Sequence, residues 1–220
     1  MVNADTPDGA LPVREPPKSD DLFEVGIGAS AGGIRALKTF FRAVPADSNM
    51  AYVVILHLSP DHESNLAEVL QTTAPIPVTQ VRERVQIEPN HVYVVSPNKK
   101  LSLTDAHIEI SDMIGIEERR APVDMFFRTL AGAQHSRAVS VILSGTGANG
   151  SAGIKRVKEY GGLCIAQDPA EADFADMPRN AIAAGVVDYV LPAGEIPARL
   201  MAYRRHVDIV EVLPHDEVDE

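Results

Sequence analysis

The chain has 220 residues, 45% of them hydrophobic and 5% aromatic, with a formal net charge of −11, a single cysteine and no tryptophan. That length suits one large α/β domain with a full core, and the acidic balance argues against nucleic acid or an anionic membrane as the main partner. The lone Cys164 excludes an intrachain disulfide and a multi-cysteine metal site, and without a bilayer-length apolar run or a basic-then-apolar start the chain reads as cytoplasmic, with no membrane insertion.

Residues 1–20 carry Pro7, Pro12, Pro16 and Pro17 among charged and small residues and read as a linker or disordered arm. Residues 21–205 read as the folded domain and 206–220 as an acidic tail, frayed from Glu211 onward. Val25–Gly28 is a short apolar strand, and Gly33–Ala43 a helix with Ile34, Leu37, Phe40 and Phe41 on one face. Ala51–Leu58 is apolar on both faces, as in a buried parallel strand. Asn65–Thr72 is helical, and Pro77–Val81 and His91–Val95 are strands. Lys100–Thr104 and His107–Ile110, joined by Asp105 and Ala106, form a hairpin. A helix over Val123–Ala133 precedes a buried strand, Ala138–Leu143, and a second glycine-rich turn, Ser144–Gly150. Then come a helix (Ala152–Tyr160), a strand (Gly162–Ala166) that buries Cys164, a helix (Arg179–Ala184), a strand (Val186–Leu191) and a closing helix from Glu195 to Arg205. Strands alternating with helices predict an α/β fold: a mostly parallel sheet with helices on both faces.

In such a sheet, sites form at the C-terminal strand ends. The first strand runs into Gly28-Ala-Ser-Ala-Gly32, a G-x-S-x-G that puts Ser30 in a turn opening a helix, beside free backbone N–H groups. The second ends on His57, and the glycine-rich turn after the buried strand ends on Asn149-Gly150. A serine hydroxyl needs a base, imidazole has a suitable pKa, and a third group must fix its tautomer. Blander readings exist for each residue. Ser30 could cap a helix or serve a phosphate loop, since Gly26-Ile-Gly-Ala-Ser-Ala31 also fits a dinucleotide fingerprint; no acid on the next strand supports that. His57 could be a satisfied core histidine, or join Asp61 and His62 at a metal, although Pro60 interrupts that set; Asn149-Gly150 could be a plain turn. His91, His107, His135, His206 and His215 read as surface or strand-edge residues, and Glu117–Arg120 as a solvated face. The order Ser, His, third group is not that of α/β-hydrolases.

Several segments together resemble the catalytic domain of the chemotaxis protein-glutamate methylesterases, the CheB family. They are Gly28–Gly33, His57–His62, Pro89–Pro97, Val123–Arg128, Leu143–Gly150 and Asp176–Ile182, running in family order from about residue 22 to 200. The resemblance implies a doubly wound, three-layer, Rossmann-like sheet and a hydrolase of glutamate methyl esters on chemoreceptor cytoplasmic helices, often also deamidating glutamines. By motif position it makes Ser30 the nucleophile, His57 the base and the Thr146 N–H an oxyanion donor, with Ala31 a second donor and Gly147 and Met177 nearby, Met177 in a loop. It calls for no cofactor and no metal. The motif style is that of methylesterase domains in multidomain hybrid sensors. No receiver-like segment precedes residue 22, so a separate receiver domain, a methyltransferase or a larger assembly is the expected regulator.

One position departs from the family pattern: Asn149 stands where the catalytic aspartate falls. An asparagine carbonyl can accept the Nδ1–H of a histidine but brings no charge, and the amide can flip and donate instead. In a serine protease that exchange cost about four orders of magnitude in turnover; an ester needs less help. The expectations are a slow but working enzyme, or a weakened domain kept for binding receptors or a methyltransferase. Spontaneous deamidation at Asn149-Gly150 would restore an acid with age, and Asp168, Asp173 or Asp176 could stand in for it. Arg119, Arg120 or Arg128 could meet an acidic receptor helix.

Overall fold

In the computed structural model, which describes residues 22–30, 32–56, 65–96, 99–104 and 106–212, strand β1 (Phe23–Ala29) lies at the centre of a seven-stranded sheet. On one side follow β2 (Met50–Leu56), β5 (His91–Val95) and β3 (Val78–Val81); on the other β8 (Val139–Ile142), β9 (Leu163–Gln167) and β10 (Tyr189–Leu191). Every neighbouring pair in this sheet is parallel. The central strands are buried on both faces and read as mostly apolar runs, with Glu24 in β1 and Ser140 in β8 buried among them.

Side chains alternate across each strand, and the two parities build two cores. Val25, Ile27, Tyr52 and Val54 join Leu37, Phe40 and Phe41 of α1 (Gly33–Arg42), Leu66 and Leu70 of α2 (Leu66–Gln71), and Ile196 and Leu200 of α7 (Ile196–Val212). Ala51, Val53 and Ile55 face the other way. They join Val123, Phe126 and Leu130 of α4 (Pro122–Gln134), Ile154 and Val157 of α5 (Gly153–Glu159), and Met177 and Ala181 of α6 (Asp176–Ala183). The fold is thus the doubly wound, three-layer one expected. Gly26 and Gly28 lie inside β1 on the α4 side, and a Cβ at Gly28 would drive into the Val123 side chain. These glycines let α4 cross β1 closely; they sit within the strand rather than in the turn that follows it.

The structure differs from the sequence-based expectations in a few places. The hairpin of β6 (Lys99–Thr104) and β7 (His107–Asp112) gains a third antiparallel strand, β4 (Val85–Gln86), too short to show a period. The Glu117–Arg120 run falls in a short helix, α3 (Ile116–Arg120), where Glu118 accepts from the Ile114 and Gly115 N–H groups and pairs with Lys100. The last strand begins at Tyr189 rather than Val186, because Asp188 is held by cross-links: its Oδ2 accepts the Cys164 N–H and its carboxylate pairs with Lys158. Ile34, in the first turn of α1, is 41% exposed instead of joining the apolar face. Helix α7 runs on through Val212.

Candidate active site

The chain builds out from β1 in both directions, so the C-terminal ends of β1 and its neighbours frame the crevice where doubly wound sheets place their sites. Beyond the paired residues the β1–β8 ladder continues into the loops. Leu143 N–H donates to Gly28 O at 2.9 Å and Ser30 N–H to Ser144 O at 3.1 Å. Ser30 therefore leaves the sheet directly beside the Ser144–Gly150 turn, 7% exposed, and its own carbonyl accepts the Gly33 N–H at 2.9 Å to close the turn into α1.

The turn after β8 is pinned on its far side by the segment leading into α6. Gly145 N–H donates to Phe174 O at 3.0 Å, and Met177 N–H donates to Gly145 O at 2.9 Å. A side chain at Gly145 would collide with the Met177 sulfur and lie 2.8 Å from Ser30 Cβ, so only glycine lets the three come together. The carbonyl and N–H of a trans peptide point in opposite directions. With Gly145 O held by Met177 N–H, the Thr146 N–H is turned away from α6, and it makes no hydrogen bond among the described residues. Gly147, at φ +79°, takes the left-handed conformation, and Asn180 Nδ2 donates to its carbonyl at 2.8 Å. Met177, expected in a loop, is the second residue of α6 and fully buried; the hydrogen bond to Gly145 draws the helix start back to it.

Asn149 takes part in a reciprocal capping arrangement. Asp124 N–H, an orphan donor in the first turn of α4, donates to Asn149 Oδ1 at 3.2 Å. Asp124 Oδ1 in turn accepts the Ala152 and Gly153 N–H groups at 2.9 and 2.6 Å, capping α5. Because the Asp124 N–H can only donate, the amide is oriented: its oxygen faces α4, and Nδ2 is buried with no partner among the described residues. Asp124 reads in the sequence as an ordinary first-turn acid, so its bridging role was not legible there.

Ser30, Gly145 and Met177 are thus brought together, with Thr146 and Gly147 in the same turn and Asn149 at its end. His57, Ala31, Asp61 and His62 lie outside the described residues. Of the possible substitute acids, Asp168 accepts the Ala170 N–H at 2.8 Å and Asp173 is engaged by the Arg35 guanidinium, while Asp176 opens α6. Cys164 is the buried thiol expected, pushed up to about 11 chiefly by burial. Away from these strand ends, burial pushes the Glu24 carboxyl up to about 7. Sequence reasoning also passed over Gln167, whose signal was the one that singled out His57: a polar residue closing an apolar strand. Among the described residues no three His, Cys, Asp or Glu side chains gather as a metal site, and no helix is long and apolar enough to cross a membrane.

Comparison with known proteins identifies the family and the fold. The profile of the CheB methylesterase family matches residues 25–200. A protein-glutamate methylesterase/protein-glutamine glutaminase of Geobacter metallireducens is 35% identical over 202 residues, 90% of this chain and 55% of its own length. A Leptospira interrogans relative is 35% identical over 172 residues, 77% of this chain and 89% of its own. The chain thus spans about half the length of the first of these and most of the second. The crystal structure of the Thermotoga maritima CheB methylesterase catalytic domain superposes with a TM-score of 0.75 at 30% identity, covering 82% of this chain and 98% of that one. Sequence and fold agree over the same stretch, and this chain belongs to the CheB methylesterase family.

Proposed function

We propose that this chain is a serine hydrolase that demethylates glutamate γ-methyl esters, and deamidates glutamines, on the cytoplasmic helices of chemoreceptors or related signalling proteins. The observation that carries the reading is the meeting of Ser30 with the Gly145–Thr146 peptide at the centre of the sheet, that peptide held by Met177. Ser30 Oγ attacks the ester carbonyl carbon while its proton passes to the base, for which motif position supports His57. The carbonyl oxygen becomes an oxyanion that accepts the Thr146 N–H and, by motif position, the Ala31 N–H; one such donor is worth about 100- to 1,000-fold in turnover. Collapse of the tetrahedral intermediate breaks the C–OCH3 bond, and the base returns its proton so that methanol leaves. Water then hydrolyses the glutamyl-serine ester by the same steps in reverse, freeing the glutamate and Ser30.

Methanol release from methylated receptor cytoplasmic fragments tests this. The wild type should release methanol and Ser30→Ala should not; equal release by both rejects the assignment. The Geobacter relative, matched over 55% of its length, supports a working context with further parts; this reading expects regulation in the cytoplasm by a separate receiver domain or a methyltransferase. The orientation of Asn149 favours a second reading, in which the domain is catalytically weakened and acts as a binding or regulatory module. Release that appears only in Asn149→Asp would select it.

A further inference from the structure

Behind the nucleophile turn lies a buried polar chain that no step above uses. Ser144 and Gln167 are 1% and 2% exposed. Ser144 N–H donates to Gln167 Oε1 at 2.8 Å, Gln167 Nε2 donates to Glu171 Oε2 at 2.9 Å, and the same carboxylate oxygen accepts the Ala193 N–H at 2.7 Å. Phe174 N–H donates to Ser144 Oγ at 3.0 Å. At the near end, Ser144 O accepts the Ser30 N–H and the adjoining Gly145 N–H reaches Phe174 O. Residue 144 is thus gripped at its N–H, its Oγ and its C=O, and it carries both the nucleophile's backbone and the peptide that precedes the Thr146 N–H. The amide of Gln167 has no freedom to flip, since a backbone N–H can only donate and a carboxylate can only accept.

We infer that Gln167 is a positioning residue for this site: held by Glu171, it sets Ser144, and through Ser144 the placement of Ser30 relative to the Gly145–Thr146 peptide. The inference rests on the hydrolase reading for its activity arm. A displacement of these groups weakens transition-state contacts far more than substrate binding, so the effect falls on kcat.

The discriminating variant is Gln167→Glu. A protonated glutamate there reproduces the glutamine: its carbonyl accepts the Ser144 N–H and its hydroxyl donates to Glu171. Once ionised it confronts Glu171 in a buried place, and like charge and burial both hold its proton to a raised pH. The other charged groups around the pair are Asp168, held by Ala170 N–H, and Arg35, engaged by Asp173. The kcat of Gln167→Glu relative to wild type is expected within threefold at pH 5.5 and at least 30-fold lower at pH 8.5, with KM within threefold throughout. The exchanged pair Gln167→Glu with Glu171→Gln, in which residue 167 accepts from both sides, removes the like charge but sets the residue 171 amide nitrogen against the Ala193 N–H that Glu171 Oε2 accepts, so at pH 8.5 it should exceed the single variant at least threefold without reaching wild type. Amide-exchange protection factors at Ser30 and Ser144 provide an arm that needs no turnover. They should fall at least tenfold between pH 5.5 and 8.5 in the single variant alone. A pH-independent activity ratio, an exchanged pair no better than the single variant at pH 8.5, or unchanged protection at Ser30 overturns the inference. A wild type that releases no methanol while Ser30 protection follows the expected pattern overturns the hydrolase reading and leaves the positioning intact.

Discussion

Asn149→Asp keeps the shape of residue 149 and turns its buried donor into an acceptor. Asn149 Oδ1 accepts the Asp124 N–H, so the opposite end of the amide is Nδ2, buried with no partner among the described residues. Leaving a buried donor unmade costs about 1–3 kcal/mol, and a carboxylate placed against the first turn of α4 gains roughly 0.3–1 kcal/mol from the helix dipole. Repulsion from the Asp124 carboxylate, which caps α5, and the desolvation of a carboxylate oxygen at the buried Nδ2 position work against both, so the change in stability should be small. The change in chemistry should not be. One carboxylate oxygen can keep the Asp124 cap while the other accepts an imidazole N–H and stabilises the imidazolium. That exchange amounts to about four orders of magnitude in a serine protease. For a more reactive ester we expect a kcat gain of about 10- to 1,000-fold, roughly 1.4–4 kcal/mol of barrier. The assay is methanol release from methylated receptor fragments by wild type, Asn149→Asp and Ser30→Ala, with urea denaturation to establish that each variant is folded. A folded Asn149→Asp with equal or lower Ser30-dependent turnover would refute the reasoning.

Other consequences are open to direct measurement. Glu24, pushed up to about 7 by burial, binds its proton more tightly folded than unfolded, so the stability it contributes is fully present below about pH 4.5 and is lost as pH rises from about 4.5 to 7, by about 3 kcal/mol in all. Glu24→Gln should gain on wild type across that window and hold a constant advantage above it; parallel urea-denaturation curves from pH 5 to 8 would contradict the assignment. Gly28→Ala puts a methyl into the Val123 side chain and should cost about 1–3 kcal/mol as overpacking, read as a lower Tm, whereas an unchanged Tm would mean α4 moves away without penalty. Cys164, buried and pushed up to about 11, should resist iodoacetamide at pH 7.5 and react only on unfolding; labelling of the native protein would show that its strand opens.

The strand and helix order was legible because buried parallel strands leave long apolar runs and amphipathic helices leave period-3.6 stripes, as in Met50–Leu56 and Leu37, Phe40 and Phe41. Two-residue β4 left no such trace, and the start of β10 was hidden because Asp188 is held by side-chain cross-links to Cys164 and Lys158 that have no pattern along the chain. At the site, the sequence by itself determined that a serine follows a strand in a glycine-rich turn and that an asparagine ends a second such turn, since both are matters of residue type and spacing. Only the tertiary structure decided which way that amide faces, that Met177 lies in the first turn of a helix and holds the Gly145 carbonyl, and that Gln167 and Glu171 stand behind Ser144. Those contacts join residues distant in the chain, and a hydrogen bond's direction is set by which donor the fold brings to which acceptor.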